Sequence, residues 1–206
     1  VLDFFAGSST TAHAVMSLNT SDSGRRKFIL VQLPEPCPTN SEASKSGYST
    51  IAELGRERIR RAAKLLLSDS PLTAGQIDTG FRTLRVDSSN FRKVFLLPDD
   101  LAQDSLDSLT DNLKPDRSHL DLLFMCAADS GLPLSLPYTS ENFMGFTVHN
   151  YGSGEIIACL DSGLTEELIT HIAKLKPSRA LFRDSGFLDA QTRINLEQIF
   201  SFYAPD

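Results

Sequence analysis

The chain has 206 residues, enough for one large domain or two small ones with real cores. Its 41% hydrophobic and 22% charged content is that of an ordinary globular protein, and a net charge of −6 excludes a wholly basic nucleic-acid wrapper, though not a local basic patch. The three cysteines, Cys37, Cys126 and Cys159, are too scattered for a disulfide framework or a paired metal-ligand spacing, and they fit a reducing cytoplasm. No apolar run reaches membrane-spanning length and no charged-then-apolar segment opens the chain, so a cytoplasmic protein without a membrane partner is expected.

Val1 to Thr11 reads as the end of a buried strand, a tight turn of small residues and the start of a helix. Asp3 closes the strand, Gly7 sits in the turn, and Ser8, Ser9 and Thr10 bring hydroxyls to the helix start. The first N–H groups of a helix lack partners and its dipole is positive there, so this end suits a carboxylate or phosphate. The sequence has no initiator Met and opens inside a strand-like run, which predicts a fragment of a longer protein.

The first helix is expected from Thr10 to Leu18, ended by the turn residues Asn19 to Gly24. Phe28-Ile29-Leu30-Val31 is a continuous apolar run typical of a buried parallel strand. Together they predict a strand–helix–strand unit of about thirty residues. Ligands of such sheets lie beyond the carboxyl ends of the strands, which places Asp3–Thr10 and Gln32–Glu35 around one crevice. Pro34 to Gly47 reads as a polar, mobile loop, and Thr50-Ile51-Ala52-Glu53 as a capping box opening a second helix. Ile51, Leu54, Ile59, Ala62 and Leu66 form its apolar stripe. Its other face carries Arg56, Arg58, Arg60, Arg61 and Lys64 against Glu57, either a solvated helix face or a contact for DNA phosphates.

Residues 71–80 read as a linker between a first region, 1–70, and a second, 81–206. The second is expected to hold a strand over Gly80–Asp87, a short helix or strand over Phe91–Leu97 and an acidic helical stretch over Asp99–Asn112. After these come an apolar helix from His119 to Ser130 and a hairpin of Gly145–Tyr151 with Glu155–Asp161. A helix capped by Thr165, a strand over Ala180–Asp184 and a helix from Asp189 to about Phe202 complete a small α/β layer.

The stretch Asp-Phe-Phe-Ala-Gly-Ser-Ser-Thr-Thr-Ala-His-Ala-Val resembles the cofactor motif (Asp-x-Phe-x-Gly-x-Gly) of DNA adenine-N6 methyltransferases. It is most similar to that of the modification subunit of type III restriction–modification systems. The resemblance continues through Arg26–Pro36, Gly47–Glu53, Glu57–Ala62 and Phe182–Phe187, and so covers nearly the whole chain. It implies an α/β fold: part of a Rossmann-like methyltransferase sheet followed by a smaller α/β C-terminal domain. By motif register, Asp3, Phe5, Gly7, Ser9 and Thr10 would surround the methionine end of S-adenosylmethionine, and Gln32 or Glu35 would face its ribose. The family's second glycine is Ser9 here; if this position needs φ > 0, serine adds strain. The resemblance further implies DNA, a second modification subunit and the restriction subunit as partners.

Adenine-N6 methylation also needs an Asp-Pro-Pro-Tyr-type motif that takes hydrogen bonds from the amine and stacks the flipped base. None occurs here, and Leu136-Pro137-Tyr138 lacks the acid. In the permuted class that the chain resembles, this motif and the target-recognition region precede the cofactor motif, so the fragment alone is expected to be inactive. The histidines His13, His119, His149 and His171 are far apart in sequence and show no metal-type spacing. An alternative of another class is a non-catalytic assembly module, with the helix from His119 and the tail helices as contact surfaces. A nicotinamide-binding domain is disfavoured by the missing third glycine and ribose acid.

Overall fold

The computed structural model describes residues 1–69, 77–92 and 112–205. They form two compact units, Val1–Thr83 and Leu84–Asp206. Most of the expected linker, the stretch Phe91–Leu97 beyond residue 92 and nearly all of Asp99–Asn112 lie outside the described residues.

In the first unit, β1 (Leu2–Asp3) and β2 (Ile29–Leu30) pair in parallel on either side of α1 (Thr10–Asp22), in the expected order. The helices α2 (Glu42–Lys45) and α3 (Ile51–Asp69) follow. Ala12 and Met16 of α1 meet Ile59, Ala62 and Ala63 of α3, and Phe28, Leu30, Leu66 and Phe81 pack around them. The run Phe28–Val31 is not buried throughout, because Ile29 is 64% exposed. Successive strand side chains face opposite sides, and Phe28 and Leu30 take the side that the helices cover. The first helix also runs past Leu18 to Asp22. Its polar end is satisfied locally: Thr20 and Ser21 hydroxyls donate to the Met16 and Leu18 carbonyls, and Asp22 pairs with Arg26, just past the helix, at 2.8 Å.

The capping box at Thr50 forms. The Glu53 amide donates to Thr50 Oγ1 at 3.2 Å, and Glu53 Oε2 accepts from the amides of Ser49 and Thr50. The buried line of α3 is Gly55, Ile59, Ala62 and Ala63, shifted from the expected stripe because its N-terminal half faces the 6–9 turn. Thr50→Ala should cost about 1 kcal/mol, the usual worth of an N-cap hydroxyl, read as a lower denaturation midpoint at unchanged m-value. The Pro34–Gly47 loop holds a helical turn, α2, capped by Ser41 Oγ accepting from the Ser44 amide.

The strand expected over Gly80–Asp87 does not form. Phe81 instead packs on the first unit's core, and Val86 is fully exposed, so the partial alternation has no sheet to serve.

The second unit opens with α4 (His119–Asp129), whose Ser118 and Asp121 form a capping box. Strands β3 (Tyr138–Phe143), β4 (Phe146–Tyr151), β5 (Ile156–Cys159) and β6 (Ala180–Phe182) make one sheet in that order. The first three are antiparallel and β6 runs parallel to β5. A parallel pair needs a crossover connection, which is made through α5 (Glu166–Lys174), and α6 (Ala190–Tyr203) closes the unit. Tyr151, Ile156 and Ala158 face α4, while Val148, Ile157 and Cys159 face α5. The period of two along β4 and β5 thus feeds two cores, one on each side of the sheet. The expected hairpin is β4–β5. Its neighbour β3 was not expected, because Tyr-Thr-Ser-Glu-Asn-Phe is a polar edge strand without an apolar face. Leu122, Leu123 and Ala127 of α4 are consumed by this core. The α/β class expected for the chain is what forms.

Candidate cofactor site

The turn between β1 and α1 is built from its own strand ends. The Val31 amide donates to the Asp3 carbonyl at 2.8 Å and the Ala6 amide to the Val31 carbonyl at 3.1 Å, so both strand ends fix the same loop. Asp3 then ties the loop to the helix. Its Oδ1 accepts from the Phe5 amide at 3.0 Å and its Oδ2 from the Thr11 hydroxyl at 2.6 Å. The Thr11 bond first, then the Phe5 amide, hold the Asp3 carboxyl below its ordinary range, so it is ionised at neutral pH.

The chain must reverse sharply to enter α1, and it does so through two residues of positive φ: Gly7 at 52° and Ser9 at 61°. Ser9 is the N-cap of α1 but gives no side-chain cap bond, since its left-handed backbone turns the side chain inward, where it is buried. The strain that a serine brings at φ > 0 therefore applies, at about 1 kcal/mol or more. The Gly7 amide donates to Gln32 Oε1 at 2.7 Å. Gln32, two residues past β2, thus fastens the turn from the second strand's side.

From below, α3 supplies two residues. Arg58 Nη1 donates to Ser8 Oγ at 3.0 Å, and Ser8 Oγ lies 3.4 Å from Thr10 Oγ1. Gly55 is buried against the turn, where a Cβ would stand 2.5 Å from Ser9 Oγ and 3.2 Å from the Gly7 carbonyl. Asp3, Gly7, Ser9, Thr10 and Gln32 are therefore brought together. The Phe5 ring points outward, 92% exposed. Glu35 is exposed, and its carbonyl accepts from the Ile51 amide at the start of α3.

A cation, hydroxyls and a helix start on one side of the turn suit a ligand carboxylate, and the exposed Phe5 ring offers a face for an apolar or cationic group. Gly55, Arg58 and the anchoring role of Gln32 were missed in the sequence. Gly55 had a signal, since glycine inside a strong helix former disfavours the helix unless a close approach requires it. Arg58 was one arginine among several.

The basic face of α3 is partly spent within the chain. Arg61 donates to Glu57 at 2.9 Å and to the Tyr48 hydroxyl at 3.2 Å. Arg60 lies 3.7 Å from Glu57 and 5.8 Å from the centre of the Phe81 ring. The Arg61 bond lowers the Glu57 carboxyl. Arg56 and Lys64 make no ion pair among the described residues.

Two histidines distant in sequence meet in the second unit, with His119 and His149 ring centroids 6.0 Å apart. His149 is buried with Nδ1 2.7 Å from Ser140 Oγ, and burial, then the nearby His119, push its pKa down. Burial pushes the Cys159 thiol up to about 11, too weak an acid to act as a nucleophile at neutral pH. Among the described residues no group of three or more His, Cys, Asp or Glu could hold a metal ion. No helix of the described residues is long and apolar enough to cross a membrane.

No protein-family model matches the chain. Curated relatives do: type III modification subunits and a type II methyltransferase. The chain is 30% identical over 218 residues to the type III restriction–modification enzyme EcoP15I Mod subunit of Escherichia coli, spanning 99% of this chain and 30% of that one. It is 45% identical over 108 residues to the StyLTI Mod subunit of Salmonella typhimurium, spanning 52% of this chain and 15% of that one. It is also 46% identical over 59 residues to the type II methyltransferase M.KpnI of Klebsiella pneumoniae, spanning 29% of this chain and 14% of that one. These relatives bear out the resemblance carried by the motifs: the chain matches type III Mod subunits over nearly its whole length and fits a piece of such a subunit, spanning about a third of theirs.

Proposed function

We propose that this chain is the cofactor-holding part of a DNA adenine-N6 methyltransferase, working as the modification subunit of a type III restriction–modification system in the cytoplasm. One observation carries the reading: a strand–turn–helix fastened by Asp3 and Gln32, in a chain similar to Mod subunits throughout. S-adenosylmethionine, when bound, supplies the methyl group. Ser8, Ser9, Thr10 and Arg58 would hold its carboxylate, and Phe5, Gly7 and Ser9 would line the rest of its methionine end. Gln32 holds the turn, which leaves the ribose to Glu35 or to Gln32 after a side-chain rearrangement. The cofactor part, expected over residues 1–70, is the first unit, Val1–Thr83, with Phe81 in its core, and the assembly domain, expected over 81–206, is the second, Leu84–Asp206. DNA phosphates meet α3 through Arg56 and Lys64, with Arg60 and Arg61 drawn in only by giving up their present contacts. A second modification subunit and the restriction subunit contact the second unit, where Ile194 and Phe202 of α6 stand exposed. With no Asp-Pro-Pro-Tyr-type motif, the chain alone transfers no methyl group.

Calorimetric titration with S-adenosylmethionine and S-adenosylhomocysteine tests this reading. Saturable one-to-one binding is expected, with no label incorporated into adenine-rich duplex DNA. A folded chain that binds neither ligand overturns the cofactor assignment, and methyl transfer overturns the inactivity.

A further inference from the structure

We propose that Gly55 is a positioning residue for the turn and forms one unit with Ser9: the serine is tolerated at position 9 because position 55 carries no side chain. Three observations support this. Ser9 is held at φ 61°, ψ 37°, a conformation that directs its buried side chain toward α3 rather than to the cap of α1. Gly55 lies in the interior of a nineteen-residue helix, where glycine costs about 1 kcal/mol relative to alanine and is otherwise out of place. An added Cβ at residue 55 meets Ser9 Oγ at 2.5 Å, Gly7 O at 3.2 Å and Ser9 Cβ at 3.5 Å.

The first of these distances is impossible without movement, the second needs a shift of a few tenths of an ångström, and the third is ordinary contact. The obstruction is therefore mainly the Ser9 hydroxyl. The amide of Ser9 donates to the Ala6 carbonyl at 2.7 Å and fixes the backbone, so rotation about χ1 is the hydroxyl's one way out, and Ser9 is buried where that rotation has little room. A Cβ at 55 pushes the 7–9 segment off α3 and with it the Gly7 amide held by Gln32. With glycine at 9 the worst contact vanishes, and a methyl at 55 has only the Gly7 carbonyl to displace. Positions 9 and 55 are thus coupled, and the coupling reaches the ligand through the turn. This last step rests on the cofactor reading above; the coupling itself does not.

A four-member cycle tests it: the full chain, Ser9→Gly, Gly55→Ala and the double variant. Thermal midpoint and S-adenosylhomocysteine affinity are read for each, with affinity taken well below the midpoint where circular dichroism shows a folded chain. Gly55→Ala is expected to lower the midpoint by several degrees and weaken binding about tenfold or more, since small misplacements of a binding turn are costly. Ser9→Gly/Gly55→Ala is expected to recover most of both losses, which general helix damage would not allow. If Gly55→Ala yields no folded protein, a folded double variant supports the coupling and an unfolded one overturns it. Equal losses from Gly55→Ala with and without the Ser9→Gly substitution also overturn it. If no member binds the ligand, the cofactor reading fails while the midpoints still decide the coupling.

Discussion

Asp3→Ala is expected to weaken S-adenosylhomocysteine binding about 100-fold while leaving the helical content of the chain intact. The carboxylate ties β1, the turn and α1 to each other through one side chain, by its bonds to the Phe5 amide and the Thr11 hydroxyl. Neither bond belongs to the core of Ala12, Met16, Ile59 and Ala62, so the unit should still fold. Loss of the tie lets the first turn of α1 and residues 5–9 move independently, and a loss of about 100-fold in affinity is the scale for such misplacement. Asp3→Asn separates geometry from charge. An amide oxygen still accepts from Phe5, and its nitrogen can donate to the Thr11 oxygen, so the turn is kept and an intermediate loss is expected. The pH dependence has a definite sign. The folded carboxyl is lowered from its ordinary value of 3.8, so its contribution is complete above that value and disappears as pH falls through the folded one. Affinity from this group should therefore be flat through the neutral range and fall only in strong acid, and Asp3→Asn should remove that fall. Unchanged binding by Asp3→Ala would show that the ligand does not use this turn.

Local rules made much of the architecture legible. Thr50 with Glu53, and Thr165, mark helix starts that form with the expected cap bonds, and the last helix, expected from Asp189, has that residue as its N-cap. The Gly-Ser-Gly between Tyr151 and Glu155 marks the β4–β5 hairpin. What was not legible depended on partners distant in the chain. β3 has no apolar face of its own and exists because its backbone pairs with β4. The alternation at Phe81–Val86 looked like a strand, yet only Phe81 found a surface, and that surface belongs to the first unit. At the site, the small residues of the turn announced themselves, but what holds them did not. Gln32 stands where an acid facing a ribose was sought, and its amide oxygen instead takes the Gly7 amide. Gly55 and Arg58 reach the turn only because α3 folds beneath it, a placement that no spacing within residues 1–11 could reveal.

Tyr151→Ala is expected to be the most destabilising single change in the second unit, at about 3–5 kcal/mol. The side chain is fully buried between α4 and the sheet, its ring edge-on to Phe124 at 5.6 Å, and its hydroxyl donates to the Pro133 carbonyl at 2.8 Å. Truncation opens a cavity in the core of Leu123, Ala127, Ile156 and Ala158 and removes one of that carbonyl's two donors, the Leu136 amide at 3.1 Å remaining. Tyr151→Phe keeps the packing and gives up the hydroxyl's bond to Pro133, so about 0.5–1.5 kcal/mol is expected. The two substitutions thus divide packing from polar satisfaction at one position. Calorimetry on the full chain reads the effect as a fall of roughly ten degrees or more for Tyr151→Ala. The same experiment asks whether the units are independent. Each has its own core, with no residue shared between the cluster around Met16 and those around Val148 and Leu123. Near 25 °C, Tyr151→Ala should therefore leave S-adenosylhomocysteine binding within a factor of about two, the level expected of uncoupled sites. If affinity falls along with the second unit's stability, the cofactor turn draws its order from that unit. The proposed division into a cofactor part and an assembly part would then have to be abandoned in favour of a single cooperative domain.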